Sequence, residues 1–204
     1  MATEALEFLD SRNQSVWADS KPYQRWLPDA YHSVEDAALN GAAWKGGTSH
    51  KLRPGGVYGR QVLVTGDGAS GFIGVIPSPA LSGYHWAVNV KGPGEPGDLH
   101  GVDLLPDGGV VAAVAGASGA PGRIELYTRE QGTPGNWSGA PAQSLPLDNA
   151  HEVLYEPAPG GGYVWGARRC GAAQAPVRHR HAEAREADVV PSAQEPDGRR
   201  GLGT

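Results

Sequence analysis

The sequence contains a single cysteine, Cys170, and no uninterrupted apolar run of 18 residues. One cysteine excludes a disulfide within the chain and a zinc site built from several thiolates. The absence of a long apolar run argues against a membrane-spanning helix. The N-terminus, MATEALEFLD, lacks the basic start and apolar stretch of a secretory signal, so the sequence as written predicts a cytoplasmic protein. A secreted protein is the alternative if a signal is missing.

Basic side chains are also scarce over most of the chain. Residues 1–167 carry 10 Lys and Arg against 17 Asp and Glu. Because phosphate recognition depends on clustered lysines and arginines, this acidic balance argues against nucleic-acid binding. We therefore expect neither a nucleic acid nor a membrane as a partner.

Helical periodicity is weak throughout the chain, whereas turn-forming residues are frequent. The sequence has 31 glycines and 17 prolines, and these separate runs of four to seven residues rich in Val, Ile, Leu, Tyr and Trp. Short apolar runs bounded by Gly, Pro and Asp are typical of β-strands. The predicted fold class is all-β.

Three histidines mark an internal repeat of about 50 residues. His50, His100 and His151 are 50 and 51 residues apart, and a proline follows each of them within four to six residues. The first and second copies each divide into four strand-like segments. The third copy stops after two segments, EVLYEP and YVWGA.

A period near 50 residues with four strands in each unit is typical of a β-propeller blade. The sequence thus predicts a partial β-propeller over residues 46–167, with about two full four-stranded blades and partial blades on either side. Residues 1–45 are expected to form a partial N-terminal blade and a loop. Since propellers contain 4 to 8 blades, this chain is too short to close a ring alone. A β-sandwich is the alternative.

Composition changes abruptly near residue 168. Residues 168–204 are dominated by Ala, Arg, Pro, Glu and Gly and contain no aromatic residue. Such a segment lacks the apolar surface that offsets the entropy of ordering, so we expect a disordered tail. The change falls within the third repeat, and our hypothesis is a shift of reading frame near Arg168.

Several segments resemble a bacterial β-propeller family of unknown function. They are DLHGVDLLPDGGVVAAVAG (98–116), GRIELYTREQG (122–132) and DNAHEVLYEPAPGGGYVWGA (148–167), preceded by SHKLR (49–53), VLVTGDG (62–68) and YHWAVNV (84–90). The resemblance covers residues 44–167 and implies a six-bladed, WD-like or lactonase-like propeller, of which this chain is a truncated copy. Glu152 departs from the glycine of the family pattern.

The repeated histidines are the polar residues that recur with the blade. If each begins the innermost strand of its blade, the three imidazoles converge at one end of the central channel. The predicted ligand-binding residues are His50, His100, His151, Asp98, Asp148 and Glu152. The alternative is structural, with each histidine hydrogen-bonded to a neighbouring blade or to an aspartate.

The resulting functional hypothesis is a propeller-type module that binds a small molecule, a glycan or a protein without a cofactor, a metal or catalytic residues. Loops at one face of the blades would recognise the ligand. The alternative is a metal-assisted lyase or lactone hydrolase that uses the histidine cluster. Exposed blade edges also predict self-association.

Overall fold

Every regular element apart from two single turns of 3-10 helix is a β-strand in the part of the chain that the structure describes. A computed structural model describes residues 6–9, 12, 24–26, 47–90, 97–116, 121–135, 140–168 and 175–179. The predicted all-β class is confirmed. These strands form four antiparallel sheets and no closed ring, so the propeller stays a prediction.

The N-terminal strands form a two-stranded hairpin. β1 (Leu6–Phe8) pairs antiparallel with β2 (Gln24–Trp26). Arg25 lies opposite Glu7 across the pair and forms an ion pair with it at 2.7 Å. The predicted partial N-terminal blade therefore contains two paired strands, and the rest of residues 1–45 lies outside the described residues apart from 9 and 12.

The first sheet contains the four strands predicted for the first repeat, in chain order. They are β3 (Ser49–Pro54), β4 (Gln61–Gly66), β5 (Phe72–Pro77) and β6 (Trp86–Asn89). The GDGASG segment between β4 and β5 closes as a turn in which the amide of Gly71 donates to the carbonyl of Asp67 at 2.7 Å.

The second sheet repeats this arrangement. Its strands are β7 (Gly97–Leu104), β8 (Val110–Gly116), β9 (Arg123–Tyr127) and β10 (Gln143–Pro146), again in chain order. Gly108, in the PDGG turn between β7 and β8, has a φ of 90°. Because this left-handed conformation favours glycine, the Asp-Gly pair sets the position of the turn.

The third sheet corrects the sequence prediction, because it has three strands where two were expected. They are β11 (Ala150–Ala158), β12 (Gly161–Arg168) and β13 (Ala175–His179), paired in that order. β13 lies within residues 168–204, the segment for which a disordered tail was predicted. Its pairing uses backbone groups, which need no apolar side chains. Residues 169–174 and 180–204 lie outside the described residues.

The sheets stack face to face in chain order, with one apolar layer between each pair. Alternation along β4 and β5 directs Val62, Val64, Ile73 and Val75 toward the second sheet, where Val102, Val110 and Val114 meet them. The opposite face of the second sheet packs on the third sheet through Val111, Ala113, Ile124, Leu126, Val153 and Val164. The N-terminal hairpin covers the outer face of the first sheet.

Trp26 anchors that hairpin. It is 1% exposed and packs against Phe72 and Ile76. Because β2 has only three residues, the buried indole of Trp26 supplies a large share of the apolar contact between the hairpin and the first sheet. The hairpin thus depends on its buried indole.

Gly101 allows the close approach of β7 to β11. A Cβ atom at this position would lie 2.8 Å from the Cα of Glu152 and 2.9 Å from the amide nitrogen of Val153. Both contacts involve backbone, which cannot move without shifting the third sheet.

We expect Gly101→Ala to destabilise the fold by about 1–3 kcal/mol, the usual range for overpacking a filled interior. Equilibrium unfolding in urea measures this loss. Gly83→Ala is a control for a glycine with no neighbouring atom within 4 Å of its Cβ position, although its φ of 62° carries some strain of its own. A Gly101→Ala protein as stable as the wild type would contradict the close packing.

Tyr58, His85 and Arg129 form a partly buried aromatic cluster. The Tyr58 and His85 rings stack with centroids 5.2 Å apart, and Arg129 lies 5.8 Å from the Tyr58 centroid. The Tyr58 hydroxyl donates to the carbonyl of Gly108 at 2.6 Å. Burial raises the pKa of Tyr58 to about 12 and lowers the pKa of His85 below its ordinary value.

Because the folded state lowers the pKa of His85, the unfolded chain binds this proton more readily. The contribution of His85 to stability is therefore full above about pH 6.5, the ordinary histidine pKa, and is lost as the pH falls through the lowered folded value. Unfolding in urea at a series of pH values should show that the stability advantage of the wild type over His85→Gln shrinks on acidification. An advantage that grows on acidification would refute this sign.

Candidate binding site

Three edge strands of neighbouring sheets lie side by side. β3, β7 and β11 each form the edge of their sheet, and β7 contacts both of the others. These strands carry five of the six predicted ligand-binding residues, which are His50, Asp98, His100, His151 and Glu152. The stacking of the sheets therefore brings the strands that carry these positions next to one another.

His100 and His151 occupy equivalent β-bulges. The pairing of β7 with β8 shifts register between Leu99 and Gly101, and that of β11 with β12 shifts between Ala150 and Glu152. In each case the histidine is the residue left out of the ladder. Because a bulge redirects the side chain of its extra residue, the two imidazoles turn toward one another.

The two imidazoles and one carboxylate form a compact cluster. The ring centroids of His100 and His151 are 4.3 Å apart with a tilt of 36°. Asp98 Oδ2 lies 3.1 Å from Nε2 of His100, whose side chain is 26% exposed. Since His151 and Asp98 are exposed, the cluster presents both donors and acceptors to solvent.

His50 does not join this cluster. β3 pairs with β4 in regular register, which places His50 opposite Thr65, and its Nδ1 lies 2.7 Å from the Thr65 hydroxyl oxygen. Alternation along β3 directs His50 to the face opposite Lys51, away from the second sheet. The expected convergence of three imidazoles is thus reduced to two, because β3 has no bulge at its histidine.

The two remaining predicted residues lie outside the imidazole pair. Asp148 is exposed in the turn before β11 and forms no ion pair with the described residues. Glu152 binds the ammonium group of Lys51 at 2.7 Å. Glu152 therefore joins the third sheet to the first.

A metal centre was the basis of the predicted enzyme alternative. Within the described ranges, no three side chains of His, Cys, Asp or Glu are grouped so that they could hold a metal ion. The contacts within the cluster of His100, His151 and Asp98 are an ion pair and a ring contact. The metal-assisted alternative stays without a ligand set in this part of the chain.

Lys51 is a residue of this surface that sequence reasoning missed. Its ammonium nitrogen donates to the carbonyl oxygens of Val102 at 2.7 Å and Val153 at 2.6 Å, and also to Glu152. All three of its donors are therefore used, and one side chain joins three sheets. This saturation gives Lys51 a structural role.

Arg53 and Asp103 form a second missed connection. Nε and Nη2 of Arg53 donate to the two carboxylate oxygens of Asp103 at 2.7 and 2.9 Å, and the Asp103 side chain is fully buried. The same carboxylate accepts the amide hydrogen of Tyr155 at 2.8 Å. Hydrogen bonding to Asp103 raises the pKa of Arg53 above its ordinary value.

The contact between Arg53 and Asp103 was detectable by comparing equivalent positions of the sequence repeat. Arg53 and Asp103 each lie three residues after the repeat histidine and are 50 residues apart. Opposite charges at one position of successive repeats indicate a contact between neighbouring sheets. The sequence analysis considered the histidines and omitted these positions.

Comparison with known proteins adds no family to this geometry. Neither a protein-family model nor a curated protein matches the chain. The resemblance to a propeller family therefore stays a prediction. Among the described residues, none lies in a helix with the length and apolarity needed to cross a bilayer.

We expect Arg53→Leu to lower the free energy of unfolding by about 3–5 kcal/mol, since it leaves the buried Asp103 carboxylate without its counter-charge. Asp103→Leu should cost less, because the Arg53 side chain is 29% exposed and its charge can be hydrated. The double variant should lose less than the sum of the two, because neither charge remains. Urea unfolding of all four proteins gives the coupling energy.

The exposed Glu7 and Arg25 pair is the matched control. Its side chains are 35% and 62% exposed, and such pairs contribute about 0–1 kcal/mol. Additive losses at Arg53 and Asp103 would show that the two side chains do not interact.

Proposed function

We propose that the chain is a propeller-type binding module in which each sheet is a blade. Two four-stranded sheets with neighbouring strands in chain order, stacked face to face with their first strands side by side, support this arrangement. Propellers stack such sheets radially around a central channel. On this proposal β3, β7 and β11 line the channel.

The ligand site is the cluster of Asp98, His100 and His151. A carboxylate accepts hydrogen bonds from hydroxyl groups, and a neutral imidazole offers one donor and one acceptor. The imidazole faces add a flat surface for contact with the apolar side of a ring. This set suits a ligand with adjacent hydroxyl groups, either a small polyol or the end of a glycan.

The pair of bulges is the observation that carries the proposal. Each bulge removes one residue from the ladder of an edge strand, and both removed residues are histidines that meet at 4.3 Å. A structural histidine needs no such departure, as His50 shows by bonding to Thr65 within a regular ladder. Bulges are frequent next to binding sites because they redirect side chains.

Immobilised monosaccharides and oligosaccharides, together with free polyols, are suitable probes. We expect the wild-type chain to bind a subset of them, and His100→Ala and His151→Ala to weaken binding by about tenfold or more, since each removes a contact worth about 1.4 kcal/mol or more. Surface plasmon resonance and titration calorimetry measure the change.

His50→Ala is the matched control. His50 is also an exposed histidine on an edge strand, but it lies outside the pair. Binding that survives in His50→Ala and is lost in the other two variants supports the site. Absence of binding to every hydroxylated probe, or equal loss in all three variants, would overturn the proposal.

A further inference from the structure

Asp98 is the charged group of the proposed ligand site. Its side chain is 59% exposed, and its carboxylate lies 3.1 Å from Nε2 of His100. Within the described ranges, no lysine or arginine lies within ion-pairing distance of Asp98. When the neighbouring imidazole is neutral, the carboxylate therefore has no counter-charge supplied by these strands.

The basic residues of β3 are already bonded to other acceptors. Lys51 uses its three donors on Glu152 and two backbone carbonyls. Arg53 donates to both oxygens of the Asp103 carboxylate. Because the Asp103 side chain is fully buried, turning Arg53 away would leave a buried charge unpaired. The negative charge of Asp98 is thus available to a ligand.

The Asp98 carboxylate is held from two sides. Oδ2 faces His100, whereas a Cβ atom built on Gly68 would lie 2.6 Å from Oδ1 and 2.7 Å from the carbonyl oxygen of Leu99. The turn between β4 and β5 therefore packs closely against this carboxylate and the backbone of β7. Since the side chain is in place before a ligand arrives, binding requires little further ordering of it.

Hydrogen-bond acceptors outnumber donors in this cluster. A carboxylate 3.1 Å from Nε2 of His100 favours a proton on that nitrogen, and a neutral imidazole then keeps an acceptor at Nδ1. Ionised Asp98 offers acceptors alone. His151, whose ring centroid lies 4.3 Å from that of His100, adds one donor and one acceptor in its neutral form. A primary ammonium group matches this set, because it has three donors and no acceptor.

We propose that the ligand of this site carries a primary ammonium group beside a hydroxyl group, as an amino sugar does. The ammonium group donates to the Asp98 carboxylate, and the neighbouring hydroxyl group and ring contact the imidazoles of His100 and His151. A hydrogen bond between two charged groups is stronger than one between neutral groups. A sugar acid is disfavoured, because its carboxylate would face that of Asp98. The inference rests on the function proposed above, since it names the ligand class of the same site.

Titration calorimetry of the full chain at about pH 7.5, where free imidazole is largely neutral, tests the ligand class. The probes are glucosamine, galactosamine and mannosamine, each compared with its parent sugar and its N-acetyl derivative. We expect at least one amino sugar to have a dissociation constant about fivefold or more below those of both comparison sugars, since they lack the charge. Because salt screens an exposed ion pair, this preference should fall when the ionic strength rises from about 0.05 to 0.5 M.

Asp98→Asn removes the charge and keeps a side chain of nearly the same size and shape. In this variant the parent-sugar dissociation constant should exceed that of the amino sugar by about twofold or less, since no charged acceptor remains. Asp148→Asn is the matched control, because Asp148 is also an exposed aspartate and lies outside the cluster, in the turn before β11. It should keep the wild-type ratio. Each ratio is measured within one protein, so a change in stability alone does not alter it.

Equal affinity of the wild type for each amino sugar and its parent would overturn the inference and leave the proposed site intact. A ratio that falls equally in Asp98→Asn and Asp148→Asn would also overturn it, because the preference would then come from net charge and not from a contact. Binding of none of these sugars would contradict the proposed function together with the inference. The wild-type comparison decides the outcome even if Asp98→Asn binds no sugar.

Discussion

The buried carboxylate of Asp103 is the interaction on which the inner strands depend. It has no solvent exposure, so its negative charge is tolerable only if its oxygens are filled by donors. Arg53 of the first sheet, Tyr155 of the third and the amide of Leu104 supply these donors. Because the donors come from three sheets, a shift of any sheet relative to its neighbours would leave a buried charge unsatisfied.

Other contacts between the first and second sheets follow the same repeat period. Thr48 bonds to the carbonyl of Leu99, and Tyr58 to that of Gly108, across 51 and 50 residues of sequence. Each contact joins equivalent or nearly equivalent positions of neighbouring sheets. The sequence period of about 50 residues thus corresponds to the step from one sheet to the next.

Strand positions were largely predictable from the sequence because local patterns determine them. Apolar runs such as QVLVTG and FIGVIP end at turn residues, and each became a strand of the first sheet. β13 escaped prediction because its pairing with β12 uses backbone groups that composition does not report. The burial of Trp26 depends on a partner sheet that lies distant in sequence.

The site was predictable only in part, for the same reason. The repeat identified His100 and His151 as equivalent, but the bulges that bring them together are properties of strand pairing. His50 fits the sequence repeat equally well and yet lies in a regular ladder. Sequence periodicity therefore locates candidate positions, whereas the direction of each side chain depends on hydrogen bonding that no short motif encodes.

Side chains that cross between sheets also occupy backbone groups at a strand edge. An edge strand with free amide and carbonyl groups is a template for strand addition by another chain, the first step toward fibrils. Both backbone groups of Val102 on β7 are bonded to side chains of β3. Ser49 accepts the amide hydrogen of Val102, and Lys51 donates to its carbonyl oxygen. Because these backbone groups are already bonded to side chains of β3, this edge of β7 resists growth by an added strand.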